Sequence, residues 1–510
     1  MATKKNADKK EAATKKSSVK KTKATKATKA NKTNKTNKTS KGSKDPELFA
    51  TYPNLYEEIS NDELEACMNF ATEYKQFLDI SKTEREFVIN TVEAAESLGF
   101  VDINEKEILA PGDKVYANIR GKGLVMAVVG NRPITDGMNI LGAHIDSPRL
   151  DLKPNPIYED EDTCYFKTHY YGGIKKYQWT TIPLAIHGVV FTKDGVKHEI
   201  VVGEKEDDPI FYITDLLPHL ADEQMKKSTR EFISGEDLNV IVGGMPLTGK
   251  DAKDKKNLYK ANILKFLFDN YGIVEKDFVS GEIEIVPAMK ARDVGFDRAY
   301  IAAYGHDDKV CAYPAVMALF AQGKPNKTCV CMLTDKEEIG SYANSGAQSV
   351  LYENFLMEIY AKCSEGQFDL LKYRKTISNS KMLSADVSNA FDPKYASVSD
   401  YRNSAFMSKG IKLEKYVGSR GKSGTNEANG DFVAEIVRIL EENSVAWQTG
   451  ELGKVDAGGG GTISAYMAKH GMEVIDCGVP VWSMHAPYEV ISKIDLYSTY
   501  LAYKCFIENI

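Results

Sequence analysis

The sequence predicts an α/β fold, a sheet flanked by helices with a mainly β domain inserted into it. Three observations carry this. Short apolar runs at 123–129, 138–143, 299–304, 328–333 and 472–477 read as strands. Helical stretches at 310–321, 431–442 and 463–470 lie between the later runs, the alternation expected of a sheet covered on both faces. From about 149 to 287 the pattern changes to β-like runs, at 181–191 and 198–202, with turn signals and a charged stretch at 250–256.

Along the chain, residues 1–45 come first. They hold sixteen Lys against Asp8, Glu11 and Asp45, a charge near +13 that leaves the remainder near −19 out of a net −6. Repeats such as Asn31-Lys32-Thr33 offer almost nothing to bury, so this tail is expected to be disordered. Its polybasic character suits a nonspecific anionic partner, although it lacks aromatic residues for base stacking. The ordered body starts near Pro46. Residues 61–99 have helical spacing with few breakers, and Gly99 suits a C-cap. The expected division is then 46–148 and 289–510 as two parts of one domain, with 149–288 inserted.

Length and composition narrow the classes. A chain of 510 residues with 43% apolar content can bury a sizeable core. No run approaches the ~18 apolar residues of a membrane span, and no apolar segment follows the Lys-rich start as a secretory signal requires. The eight scattered cysteines form no CxxC pair, which points to reduced thiols and a cytoplasmic location.

Five segments place metal-capable side chains at or just beyond the end of an apolar run. They are Gly142-Ala143-His144-Ile145-Asp146, Gly305-His306-Asp307-Asp308, Thr334-Asp335-Lys336-Glu337-Glu338, Leu383-Ser384-Ala385-Asp386 and Trp482-Ser483-Met484-His485. Ligands of open α/β sheets bind outside the carboxyl ends of the strands, so five such ends can converge. Imidazole and carboxylate suit Zn²⁺ and, equally, Co²⁺ or Mn²⁺. Two ions about 3.5–4 Å apart need a bridging carboxylate plus one His and one carboxylate each, and a further carboxylate to take a proton from water. His144 and Asp146, two apart on a strand, face the same way, so Asp146 can orient the imidazole. Glu337 and Glu338 diverge, so one can bind metal while the other reaches the water.

With these stretches in place, the chain resembles the M18 family of metallo-aminopeptidases from about residue 50 to its end. The matching motifs are Ala143-His144-Ile145-Asp146-Ser147-Pro148, Asp307-Asp308, Glu337-Glu338-Ile339-Gly340-Ser341, Ser384-Ala385-Asp386 and Ser483-Met484-His485. The resemblance implies the mixed sheet of a zinc-peptidase catalytic domain and an insert that makes dimers, stacked into a tetrahedral dodecamer. It implies Asp307 as the bridge, His144 and Asp386 on one ion, and Glu338 and His485 on the other. Glu337 would be the general base to a metal-bridged water, with Asp146 supporting it. Peptides would lose their N-terminal residue; neither an acidic nor an apolar preference is legible. Several relatives carry Asp-Asn where this chain has Asp307-Asp308.

Other marks carry less. Gly458-Gly459-Gly460-Gly461-Thr462 opens a helical stretch, and Gly460 and Gly461 are expected against the substrate backbone. The stretch 418–424 ends like a P-loop, but its first Gly would fall at Tyr416, so an NTPase is rejected. The resemblance makes Arg420 and Lys422 substrate contacts instead. His187 reads either as a packed core histidine or, by resemblance, as a residue reaching a neighbouring subunit's site. His306 is not expected to bind metal. Rival readings keep the two-metal site but cleave another bond, as a deacylase or carboxypeptidase does, or make the body idle and the basic tail a nucleic-acid binder.

Overall fold

The computed structural model describes residues 48–253 and 256–510, so the Lys-rich tail lies outside the described residues. Tyr52–Ile510 form one compact unit containing three sheets.

The first helix is shorter than its periodicity suggests. Helical spacing runs through 61–99, yet the structure has two helices, Asn61–Ile80 and Glu84–Ser97. Each starts on a capping box, Ser60 with Glu63 and Thr83 with Glu86, which satisfies backbone N–H groups at both ends of the box. The break leaves Lys82 buried, its ammonium donating to the Pro287 carbonyl at 2.7 Å.

The main sheet has nine strands. Four central ones are mutually parallel, in the order Thr328–Thr334, Met138–His144, Lys381–Ala385 and Glu473–Gly478. The flanking Gly123–Val128 and Ile411–Glu414 run antiparallel to their neighbours, so the sheet is mixed. Side chains alternate between two cores. Leu124, Met126 and Val128 pack under helices Asn61–Ile80, His306–Phe320, Gly430–Glu442 and Lys493–Asn509. Val125 and Ala127 face Val350–Cys363 and Leu370–Ser378. Burial on both faces explains why these strands are continuous apolar runs.

A second sheet of six antiparallel strands is drawn wholly from residues 149–287, between Arg149–Asp160 and Glu282–Pro287 in chain order. Its core includes Trp179, Leu184, Ile285 and Val286. It also packs a helix, Leu258–Tyr271, that the β-like pattern does not announce.

A third sheet was legible in the sequence only at one strand, Tyr300–Ala303, within the apolar run 299–304. Its strands are two to four residues long, ordered Arg292–Val294, Tyr300–Ala303, Glu489–Ser492, Pro480–Trp482 and Ser388–Asn389. No helix among the described residues is long and apolar enough to cross a membrane.

Candidate metal centre

Two sheets, rather than one, build the site. The parallel register sets Thr334 beside His144 and Ser384 beside Gly142, so His144, the 335–338 loop and Asp386 leave adjacent carboxyl ends. Asp307 and His485 come from the third sheet. Asp307 follows Tyr300–Ala303 at the start of a helix, and His485 sits in the turn joining Pro480–Trp482 to Glu489–Ser492. Lys336, Ser483 and His485 all have positive φ (+69°, +61° and +63°), a left-handed conformation that costs non-glycine residues energy and gathers at functional turns.

The donor atoms form three triads: His144, Glu337 and Glu338 make one, and the other two share Asp307. In one of those two, atoms of His144, Asp307 and Asp386 lie within 4.8 Å of one another; in the other, those of Asp307, Glu338 and His485 do. The two Asp307 oxygens face different histidines. Oδ1 is 3.2 Å from His144 Nε2, and Oδ2 is 3.1 Å from His485 Nε2. Each imidazole commits its other nitrogen to the protein. His144 Nδ1 lies 3.1 Å from the Asp146 carbonyl, and His485 Nδ1 lies 2.8 Å from that of Gly173. A donated Nδ1–H fixes the tautomer that leaves Nε2 a free ligand. Gly172 and Gly173 allow this approach: a Cβ would come within 3.1 Å of Glu338 Oε2 at the first and 3.3 Å of His485 Nδ1 at the second.

Asp146 faces both His144, whose Nδ1 lies 3.3 Å from Oδ1, and the loop. Its carboxylate accepts the N–H groups of Glu337 (3.1 Å) and Glu338 (3.2 Å) and the Tyr171 hydroxyl (2.7 Å). Glu489 does the same on the other side, accepting from the backbone N–H of Asp307 (3.0 Å) and His485 (2.7 Å). Sequence reasoning missed Tyr171 and Glu489. The signal for Glu489 was slight: an acid at the start of a strand, four residues past His485.

Electrostatics favour a cation here. Burial pushes the carboxyls of Glu338 and Asp386 well above their usual range, and neighbouring Asp307 adds to this. Burial also opposes ionisation of Asp307, but hydrogen bonds from His144 and His485 hold it below the carboxylate range. Glu337 is raised to about 7, first by burial, with Asp146 and Asp307 adding repulsion. Glu338 Oε1 is buried and has no hydrogen-bond partner. Buried polar atoms are normally paired, so the orphaned oxygen, two imidazoles and the surrounding carboxylates fit divalent metal ions.

Asp308 differs from its neighbour. Both its oxygens are buried without hydrogen-bond acceptors or donors within reach, and burial pushes its carboxyl well above the usual range. His306 is buried with Nδ1 2.9 Å from the Tyr74 hydroxyl, and burial lowers it to about 3.

The cluster opens into a cavity of about 480 Å³, lined in part by Glu414, Val417, Leu452, Gly460, Gly461 and Tyr466. Gly459, at φ +114°, lies so close to the Gly418 carbonyl that a Cβ would collide with it. Arg420 and Lys422 do not line this cavity. Both are exposed, and the Lys422 ammonium is taken by Glu427 at 2.9 Å over the Tyr416 ring. His187 is also absent. It is buried in the second sheet with both ring nitrogens engaged, by Glu86 at 2.6 Å and Glu204 at 3.0 Å, which leaves none for a substrate.

Comparison with known proteins agrees with this geometry. The family profile described as "Aminopeptidase I zinc metalloprotease (M18)" matches residues 77–507. A curated relative from Clostridium acetobutylicum, named "Probable M18 family aminopeptidase 1", is 51% identical over 467 residues, 91% of this chain and 99% of the relative. The crystal structure of an M18-family aminopeptidase from Thermotoga maritima has a TM-score of 0.86 at 43% identity, covering 91% of this chain and 100% of that one. The mApe1 dodecamer of S. cerevisiae shares the fold, with a TM-score of 0.69 at 20% identity over 86% of this chain and 96% of that one.

Proposed function

This chain belongs to the M18 family of zinc metallo-aminopeptidases, and from that premise we propose that it removes single residues from free peptide N-termini at a two-metal site. The observation that carries the reading is the pair of donor triads sharing Asp307. His144 and Asp386 would complete one ion and Glu338 and His485 the other. Zn²⁺ is the first candidate, and Co²⁺ or Mn²⁺ suit the same donors. When bound, the two cations polarise the scissile carbonyl and make a water acidic near neutral pH.

The residues of the chain do the rest. Glu337 stands outside the two triads that share Asp307, with a carboxylate oxygen within 4.8 Å of donor atoms of His144 and Glu338 and on the wall of the cavity. A group poised there accepts a proton from water and returns it to the leaving amine. Asp146 holds the backbone of Glu337 and Glu338 in place and turns His144. Gly460 and Gly461, exposed on the cavity wall, admit a substrate backbone at close range.

The β-rich residues 149–288 act as an inserted dimerisation domain in this reading. Their exposed apolar side chains, among them Leu220, Met225, Met245, Phe266 and Phe268, support a covered surface. A dodecamer like the S. cerevisiae relative's is the assembly we propose, and light scattering tests it. The activity is tested by hydrolysis of Leu, Met, Glu, Asp and acetyl-Leu chromogenic amides with and without chelator. Cleavage of free-amine substrates alone, lost on chelation, is expected. Cleavage of acetyl-Leu would transfer the site to a deacylase.

A further inference from the structure

We propose that Glu414, on the buried part of the metal-site cavity wall, selects the N-terminal residue of the substrate: paired with Lys412, it admits a neutral, apolar side chain and turns away an acidic one. This names the substrate class and rests on the aminopeptidase reading.

The scissile carbonyl belongs to the N-terminal residue, so that residue's side chain occupies the cavity that the metal ligands line. The cavity is exposed at Gly340, Gly460 and Gly461. Val387, Val417, Leu452 and Met484 give it apolar surface. Among the residues that line it, Glu414 is the one charged side chain outside the three donor triads. Glu414 is buried, 3% exposed, and so is Ser388 beside it.

Two short links tie Glu414 to the metal cluster. Its Oε1 accepts the Ser388 hydroxyl at 2.9 Å, and Ser388 follows Asp386 by two residues, at most about 7.6 Å between their Cα atoms. The strand Ile411–Glu414 also pairs with Glu473–Gly478, which sets Lys412 beside Gly478. A Cβ on Gly478 would overlap the Asp386 carbonyl.

Lys412 decides what this carboxylate does. It is 1% exposed, and its ammonium lies 2.9 Å from Glu414 Oε2, its one ion pair among the described residues. The pair is balanced within the protein. An acidic substrate side chain would therefore meet Glu414 with the nearby cation already committed, a like-charge contact in a desolvated place. An apolar side chain meets no such penalty. Removing the carboxylate reverses the preference, because Lys412 becomes a buried, unpaired ammonium that an acidic side chain can satisfy.

The test uses full-length, metal-loaded protein with the p-nitroanilides of Leu, Met, Asp and Glu. The wild type should prefer Leu over Glu by roughly 10²-fold or more in kcat/KM, the scale of a desolvated like-charge contact. Glu414→Gln should hydrolyse the Glu amide about tenfold faster than the wild type does, through the freed ammonium. Adding Lys412→Met to Glu414→Gln should return the Glu amide to the wild-type rate. Calorimetric titration of the same three proteins with L-leucine and L-glutamate reads the preference without turnover. The α-carboxylate is common to both ligands, so the difference belongs to the side chain: glutamate should bind more tightly to Glu414→Gln than to the other two proteins. Equal handling of Leu and Glu by the wild type overturns the proposal. So does a gain on Glu that survives Lys412→Met, or a Glu414→Gln loss equal on all four amides. If Glu414→Gln does not fold, the wild-type kinetic ratio and titration decide. If the wild type cleaves no free-amine substrate, the aminopeptidase reading fails by itself, and the titration still decides whether Glu414 turns a carboxylate away.

Discussion

Two buried histidine clusters sit in this molecule, and they differ in how their carboxylates are neutralised. His144 and His485 lean on Asp307, with Glu338 and Asp386 alongside. No Lys or Arg forms an ion pair with those carboxylates among the described residues, and a Glu338 oxygen is orphaned. His187 leans on Glu86 and Glu204, but Glu204 also receives Lys82 at 2.6 Å and Lys290 at 2.7 Å. Its pKa falls to about 2: burial opposes ionisation, and His187 and the two ammonium groups outweigh it. Composition at the level of His and carboxylate is the same. Whether the chain supplies its own cations separates a closed structural network from a site that calls for external ones.

Breaking each cluster in turn should give different symptoms. The largest effect is expected from Glu337→Gln. Loss of a general base costs roughly 10²–10⁴-fold in kcat, while metal content measured by atomic emission stays at the wild-type level. An unchanged kcat would remove Glu337 from the mechanism.

Lys82→Met attacks the other cluster. Removing one partner of a buried ion pair costs roughly 3–5 kcal/mol, so urea unfolding should shift to a lower midpoint. The protein that remains folded should keep its turnover, because Lys82 lies away from the metal cluster. A turnover loss without a stability loss would contradict the comparison.

The pH dependence sharpens it. Burial opposes protonation of His187, but the hydrogen bonds it donates to Glu204 and Glu86 prevail and raise its pKa above 6.5. That contribution to stability is full below about 6.5 and is lost as pH rises through the elevated folded value. Glu204, lowered from 4.5 to about 2, contributes above 4.5 and loses it as pH falls toward 2. Thermal scans should show His187→Gln removing part of the alkaline decline and, because His187 helps to lower Glu204, weakening the acid limb as well, with Lys82 and Lys290 preserving the rest of it.

The smallest effect is expected from Asp308→Asn. A carboxyl and an amide have nearly the same shape and neither Asp308 oxygen has a partner to lose, so kcat/KM should stay within about threefold. A large loss would mean that Asp308 is ionised in the working enzyme.

Much of the site was legible because its chemistry needs particular residue types at strand ends. His144, Asp307, Glu337, Glu338, Asp386 and His485 fall at such ends, and the fold brings them together. Tyr171 and Glu489 were not legible, since they act across 25 and 182 residues of chain on partners that no spacing rule links. The third sheet was read only at Tyr300–Ala303, within the apolar run 299–304; its other strands, of two to four residues, carry too little periodicity to read. The break at Ser81-Lys82-Thr83 was different. Its capping box, Thr83 with Glu86, was present in the sequence, but the apolar spacing continued across it and masked the stop.

The sequence by itself determined the donor set, the alternation of buried strands with helices, and the family. Only the tertiary structure decided that Asp307 and His485 come from a separate small sheet, that His187 is closed off, and that Arg420 and Lys422 stand outside the cavity. The physical reason is that a side chain's residue type is a local property, whereas its desolvation and its partners are set by whatever distant segments pack against it. Lys82 and Lys290, 122 and 86 residues from Glu204, neutralise one cluster, and among the described residues no such pair reaches the other.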